Sequence, residues 1–236
     1  MNHILNISGY KFIQLNNLEV LQSSLKQLCQ ELALKGTILI SAEGINICLA
    51  GSPENIKLFI SKIHKDEKFS DIFFKESISE IVPFRKLCIK IKKEIITFGR
   101  PNIDTSKNQT HTVTPKVLKQ WLDENKPVTL LDTRNTYEFL IGTFNDAVTL
   151  PIEKFTDLPD RLGQLTREQK SQPIVIFCTG GVRCEKVLPV MLEQGYQEVY
   201  QLDGGILNYF LECGDAHYKG DCFVFDDRIA ISPQAA

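Results

Sequence analysis

The chain has 236 residues, of which 43% are hydrophobic and 24% charged, so it can bury a sizeable core and is not expected to be disordered throughout. Lys and Arg number 27 against 29 Asp and Glu, and the formal charge of -2 argues against a histone-like or polybasic protein while leaving room for a local basic patch. At roughly 150 residues per domain, the length admits one large or two small domains and excludes a mini-protein.

The seven cysteines, Cys29, Cys48, Cys88, Cys178, Cys184, Cys213 and Cys222, are odd in number and lack CxxC spacing, so no disulfide framework is expected. The start, MNHILNISGYKF, is not a charged-then-apolar leader, and nowhere do about 18 apolar residues run together. These features predict a cytoplasmic protein with reduced thiols and no membrane span.

In chain order, a strand is expected over Tyr10 to Leu15. Leu18, Leu21, Leu25, Leu28 and Leu32 then recur at three- and four-residue steps and read as an amphipathic helix stopped by Gly36. Strands are expected at Thr37 to Ser41 and Ile45 to Ala50. Ser52-Pro53-Glu54 caps a second helix with Ile56, Phe59, Ile60 and Ile63 on one face, and a strand follows at Asp71 to Lys75. This βαββαβ order predicts a ferredoxin-like sandwich, one sheet with two helices on a single face.

Arg85, Lys86, Lys90, Lys92, Lys93 and Arg100 fall close together with only Glu94 among them. In RKLCIKIKK the side chains alternate, Leu87, Ile89 and Ile91 to one face and Lys86, Cys88, Lys90 and Lys92 to the other. Spacing alone reads this as a solvated strand whose lysines discourage edge pairing. The stretch GRPNIDTSKNQTHTVTP, residues 99 to 115, is polar, rich in turn formers and without apolar periodicity, as expected of a linker. The net charge changes across it, +3 up to Ser106 and -5 beyond, which marks two modules.

The second half alternates strand-like runs, VTLLD at 128 to 132, PIVIF at 173 to 177 and EVYQL at 198 to 202, with helical patterns, and so predicts a parallel sheet. Ligands in such sheets bind at the carboxyl ends of the strands, which singles out the segments after Asp132, Phe177 and Leu202. Cys178-Thr179-Gly180-Gly181-Val182-Arg183 lies between a buried strand and a helix. Glycines let successive N–H groups point inward, the helix N-terminus adds partial positive charge, and Arg183 adds a full one, all of which favour a thiolate at Cys178. Cys184, in the first helical turn, either resolves an oxidised or persulfidated Cys178 or simply packs. Asp132 and Arg134 at a strand end read as a structural ion pair, with Glu138 nearby in the same role. His111 and His217 lack ligand-spaced partners, and Cys213 and Cys222 are too widely spaced for zinc, so no metal is expected.

The loop Cys178 to Arg183 resembles the active-site loop of rhodanese domains. LLDTRNTYEFLIGTF at 130 to 144 is similar to their D-x-R-x-x-x-E-[FY]-x-x-G segment through Asp132, Arg134, Glu138 and Gly142. CTGGVRCEK, GTILISAEGIN at 36 to 46, LDGGI at 202 to 206 and FVFDDR at 223 to 228 together resemble the bacterial tRNA uridine hydroxylases. The resemblance implies a ferredoxin-like (acylphosphatase-like), RNA-binding domain over 1–100, a rhodanese domain over 110–212 carrying the catalytic cysteine, and a C-terminal extension over 213–236. It implies 5-hydroxyuridine formation at the wobble position of tRNA with molecular oxygen as co-substrate, tRNA as the partner and Cys178 as the reactive residue. It also turns the lysine-bearing strand, with Arg100, into the expected tRNA surface. Two features depart from the family: the chain stops at ISPQAA where members often continue into a cysteine-rich tail, and GTFNDA stands in place of a G-H-I-x-G-A segment.

No cofactor motif is evident and no protein partner suggests itself. The first expectation is therefore a tRNA hydroxylase whose Cys178 and Arg183 are catalytic, supported by Thr179, Gly180, Gly181, Cys184, Asp132 and Arg134. A rhodanese-type sulfurtransferase carrying a persulfide on Cys178 is the alternative, and a non-catalytic redox- or sulfide-sensing module is a third. A phosphatase is disfavoured, because its loop has five residues between cysteine and arginine and here there are four, Thr179 to Val182.

Overall fold

The computed structural model describes residues 3–100, 103–105 and 111–235, so part of the expected linker, residues 101, 102 and 106–110, lies outside the described residues. The chain forms two compact units. The first comprises residues up to Thr97 together with Phe225–Arg228, and the second Phe98–Val224 with Ile229–Gln234.

The first unit runs β1 (Ile4–Phe12), α1 (Leu18–Glu31), β2 (Lys35–Ser41), β3 (Gly44–Gly51), α2 (Pro53–Ile63), β4 (Lys75–Ser79) and β5 (Leu87–Ile91). Its sheet has the order β4-β1-β3-β2-β5. The first four strands pair antiparallel in ferredoxin-like fashion, and β5 adds a parallel edge beside β2. Strand alternation sends Leu5, Ile7, Ile38, Ile40, Ile45, Ile47 and Leu49 to one face. There they pack with Leu25 and Cys29 of α1 and Ile56, Phe59 and Ile63 of α2. Ser52 caps α2 by accepting a hydrogen bond from the Asn55 N–H at 3.3 Å.

Three expectations are displaced. The first strand begins at Ile4 rather than Tyr10, because Leu5 and Ile7 supply the buried parity while Asn6 and Ser8 face the other way. Of the last expected strand, Asp71 to Lys75, only Lys75 pairs; Ile72 and Phe74, with Phe69 in the turn before them, plug the core. Gly36 does not end α1. The chain turns at Ala33, with φ 50°, while Gly36 lies inside β2, where an added Cβ would sit 2.1 Å from the Cys48 carbonyl oxygen. Glycine is required there by close approach of β3.

The second unit contains β6 (Thr112–Val113), α3 (Pro115–Asp123), β7 (Thr129–Asp132), α4 (Thr136–Phe139), β8 (Gly142–Phe144), β9 (Val148–Thr149), α5 (Leu158–Arg161), α6 (Arg167–Lys170), β10 (Ile174–Phe177), α7 (Cys184–Glu193), β11 (Val199–Leu202), α8 (Gly205–Cys213), β12 (Tyr218–Gly220), β13 (Cys222–Phe223) and β14 (Ala230–Ile231). The main sheet, β6-β11-β10-β7-β9, is parallel throughout, and the three anticipated runs form its centre. Residues 112–113, expected to be linker, instead form its edge strand β6 beside β11. Val175, Phe177, Leu202, Ile206, Tyr209 and Phe144 lie in one buried cluster, so β10 sits at the middle of the core and its end is rigidly placed. Among the described residues no helix is long and apolar enough to cross a membrane.

Gly36→Ala is expected to destabilise the protein by about 1–3 kcal/mol through backbone strain and the clash with Cys48. Gly163→Ala, where a Cβ meets nothing within 4 Å, should change stability by less than about 0.5 kcal/mol. Urea unfolding of the two variants checks this, and equal stabilities would remove the steric reason for Gly36.

Candidate active site

The carboxyl ends of β7, β10 and β11 meet at Cys178. The cysteine follows Phe177, the last residue of the central strand, and is only 1% exposed. Its carbonyl accepts the Ile206 N–H at 3.0 Å, and the Thr179 carbonyl accepts the Leu207 N–H at the same distance, so the start of α8 grips the loop. Gly205, with φ 67°, makes that grip possible. A Cβ on it would lie 2.5 Å from the Cys178 carbonyl oxygen, which explains why this residue of LDGGI is glycine.

The Gly181 N–H donates to Cys178 Sγ at 3.1 Å, and the Arg183 N–H also points at it. Burial by itself pushes the thiol up. Against burial act a hydrogen bond from the Cys184 thiol, the positive charge of Arg183 and the two N–H groups, and together they bring the Cys178 pKa down to about 6. Burial acts alone on Cys29, and on Cys222 it outweighs the Arg134 charge and the Thr179 hydroxyl, so that each is pushed up to about 12. Burial and the neighbouring Cys178 raise Cys184 well above its ordinary value, so Cys184 is the thiol that keeps its proton; the Thr133 hydroxyl lies 3.8 Å from its sulfur.

Arg183 does not present a free charge. It is buried, and its guanidinium grips Glu138 of α4 with two bonds, Nη1 to Oε2 at 2.7 Å and Nη2 to Oε1 at 2.5 Å. Glu138 accepts in addition the Asn135 N–H at 3.0 Å, and it is fully buried. Sequence reasoning placed Glu138 in a motif but missed its partner, 45 residues away. Asp132 and Arg134 form the anticipated ion pair, Nε to Oδ1 at 2.9 Å and Nη2 to Oδ2 at 2.6 Å, completely buried. Arg134 also donates to the Gly142 carbonyl and Thr143 to Asp132, so this pair holds the turn after β7. Thr179 donates its hydroxyl to the Phe223 carbonyl at 3.3 Å, tying the loop to β13.

The candidate RNA residues divide between the units. Lys90 is exposed on β5 of the first unit, and Lys86 and Lys92 are exposed at its two ends, while Leu87 and Ile89 pack against its core, as the alternation requires. Arg100 belongs to the second unit, where it faces Asp160 at 3.6 Å. His217, read from the sequence as isolated, meets Asp123 at 2.7 Å, a contact across 94 residues that spacing cannot reveal. Among the described residues no three His, Cys, Asp or Glu side chains gather as a metal site would require.

Residues 4–95 match the model of the UPF0176 acylphosphatase like domain, and residues 114–212 that of the rhodanese-like domain. The chain is 47% identical to a tRNA uridine(34) hydroxylase of Cupriavidus pinatubonensis, covering 98% of this chain and 83% of the relative. It is 44% identical to a protein of the same name from Variovorax paradoxus, over 99% of this chain and 90% of the relative. A third, from Bordetella petrii, is 43% identical over 100% and 96% of the two chains. A solved rhodanese-like domain from Anabaena aligns over 47% of this chain and 79% of its own at 24% identity, with a TM-score of 0.40. The chain belongs to the tRNA uridine(34) hydroxylase family.

The thiolate is the reactive form of a cysteine, so alkylation of Cys178 should rise with pH through about 6 and level off above it. Peptide mapping after iodoacetamide treatment at pH 5 to 9 measures this. A midpoint near 9 would mean that the loop donors do not stabilise the thiolate.

Proposed function

We propose that this chain hydroxylates C5 of the wobble uridine, position 34, of tRNA, with Cys178 as nucleophile. The observation that carries the reading is the Cys178 sulfur, held by the Gly181 and Arg183 N–H groups with its pKa brought to about 6, in a chain of the tRNA uridine(34) hydroxylase family. A largely ionised thiolate at neutral pH adds to C6 of uracil, forming the Sγ–C6 bond and moving the C5–C6 π pair towards C5. The electron-rich C5 then bonds to molecular oxygen. An external dithiol supplies two electrons and two protons and becomes a disulfide, while one oxygen atom remains as the C5 hydroxyl and the other leaves as water. Loss of the C5 proton and expulsion of the thiolate restore the double bond. The low pKa of Cys178 serves this last step as well, because a weakly basic thiolate leaves readily.

The buried Asp132–Arg134 and Glu138–Arg183 pairs position the loop and do not touch the base. Thr179, Gly180 and Gly181 provide the backbone around the sulfur, and Cys184 supports the thiolate by its hydrogen bond. tRNA is the partner, and the reaction belongs to the cytoplasm. The exposed lysines of β5 are the phosphate-contacting surface of the first unit.

Cys178→Ser should abolish 5-hydroxyuridine in bulk tRNA when it replaces the wild-type protein in cells, as read by nucleoside mass spectrometry. Persistence of the modification would remove the thiolate from the mechanism. Anaerobic turnover of thiosulfate, with no hydroxyuridine from the wild type, would make the protein a sulfurtransferase instead.

If Lys90 and Lys92 contact phosphates, the double variant Lys90→Gln/Lys92→Gln should reduce the slope of log affinity against log salt by roughly one to two units. Discrimination for uridine at position 34 should survive, because phosphate contacts position an RNA without reading it. Binding of tRNA at several salt concentrations tests this, and an unchanged slope would leave β5 a solvated edge.

A further inference from the structure

A base that reacts with a cysteine 1% exposed must leave its stack and be held flat against the loop, and enzymes replace lost base stacking with aromatic rings. The residues around Cys178 carry such rings. Tyr137, on α4, is 46% exposed, and it meets Phe223 of β13 edge-on, with centroids 5.3 Å apart at 75°. Both residues are linked to the loop, one through its neighbour and the other through its backbone. Tyr137 directly precedes Glu138, which grips Arg183, and the Phe223 carbonyl accepts the Thr179 hydroxyl. The Tyr137 hydroxyl accepts from Asn135 Nδ2 at 3.1 Å, which fixes the ring's direction.

Packing accounts for the cluster of Phe144, Phe177, Tyr209, Phe210 and Tyr218, all buried, whereas Tyr137, beyond its contacts with Phe223 and Asn135, leaves nearly half its surface to water. Leu140, three residues along, is exposed too, so this side of α4 offers water an apolar surface beside the reactive loop. At Gly180, a half-buried residue of the loop, an added Cβ would meet nothing within 4 Å, so the loop leaves open space there.

We propose that Tyr137 and Phe223 form the platform on which the uracil of position 34 stacks as it approaches Cys178 across Gly180; this rests on the hydroxylase reading above. The platform orients C6 towards the sulfur and shields the adduct from water. A π-face accepts any base, so the rings position the uracil, and its selection falls to groups that meet its edge.

The test uses the full chain and unmodified tRNA. Tyr137→Leu keeps bulk against Phe223 but removes the flat face, and should lower kcat/KM for tRNA hydroxylation by roughly 5- to 150-fold, the range found for lost base stacking. Its melting temperature and the alkylation rate of Cys178 should stay at wild-type values, and Tyr137→Phe should recover most of the loss. In parallel, tRNA carrying 5-bromouridine at position 34 should photo-crosslink to a peptide containing Tyr137 or Phe223. Three results would overturn the platform: Tyr137→Leu as active as wild type, crosslinks only to other segments, or a loss of activity that follows a loss of melting temperature and shows the ring to be a structural latch. A wild-type protein that makes no hydroxyuridine defeats the hydroxylase reading itself, whereas an active wild type with an equally active Tyr137→Leu defeats the platform alone.

Discussion

The ion pair between Glu138 and Arg183 is the constraint on which the site depends. Both charges are removed from water, and each is tolerated only because the other meets it with two hydrogen bonds. Removing one partner of such a pair costs about 3–5 kcal/mol, since the survivor is left buried and uncompensated. The pair joins α4, a single turn of helix too short to be stable alone, to the last residue of the cysteine loop and thus to the start of α7. The Asn135 N–H donates to Glu138 Oε2, so the same carboxylate that holds Arg183 also satisfies the backbone donor at the N-cap of its own helix.

This pairing changes what the loop can bind. An arginine committed to a carboxylate offers only part of its charge to the sulfur, and a doubly charged phosphate would find little left. The Cys184 thiol and two backbone N–H groups do much of the remaining work, and their number and direction suit one anionic sulfur atom. The four residues between Cys178 and Arg183 lead to the same conclusion through size. Charge and loop size both fit an anionic sulfur better than a phosphate.

Much of this was legible in the sequence. Leucines at helical spacing marked α1, Ser52-Pro53 marked the start of α2, and β-branched runs marked the three central strands of the second sheet, because burial of one face writes its period into the chain. The cysteine loop was legible for another reason: its glycines and arginine are local. What escaped depended on distant partners or on exceptions to period. β1 hides its buried parity behind Asn6 and Ser8, and the apolar run before β4 fills the core from a turn. Glu138 finds Arg183, and Tyr137 finds Phe223, across stretches that no spacing rule spans. The reason Gly205 is glycine appears only when the Cys178 carbonyl is seen beneath it.

On the hydroxylase reading proposed above, the two units divide the problem that a single modified nucleotide sets. The lysines at β5 would supply affinity for any polyanion of the right shape, and such contacts by their nature cannot tell uridine from cytidine. Cys178 would supply reactivity, and a thiolate alone does not choose one pyrimidine in a tRNA either. Selection must therefore lie within a few ångströms of the loop, among groups that can meet the edge of a base already stacked and turned. Three segments are tied to the Cys178 loop: the turn carrying Tyr137 through Glu138 and Arg183, the start of α8 through the Ile206 N–H on the Cys178 carbonyl, and β13 through the Phe223 carbonyl on Thr179. Buried ion pairs and N–H to carbonyl grips fix them to the core rather than leaving them as mobile loops, and on the proposed mechanism this would limit the orientations a uracil could adopt before C6 meets the sulfur.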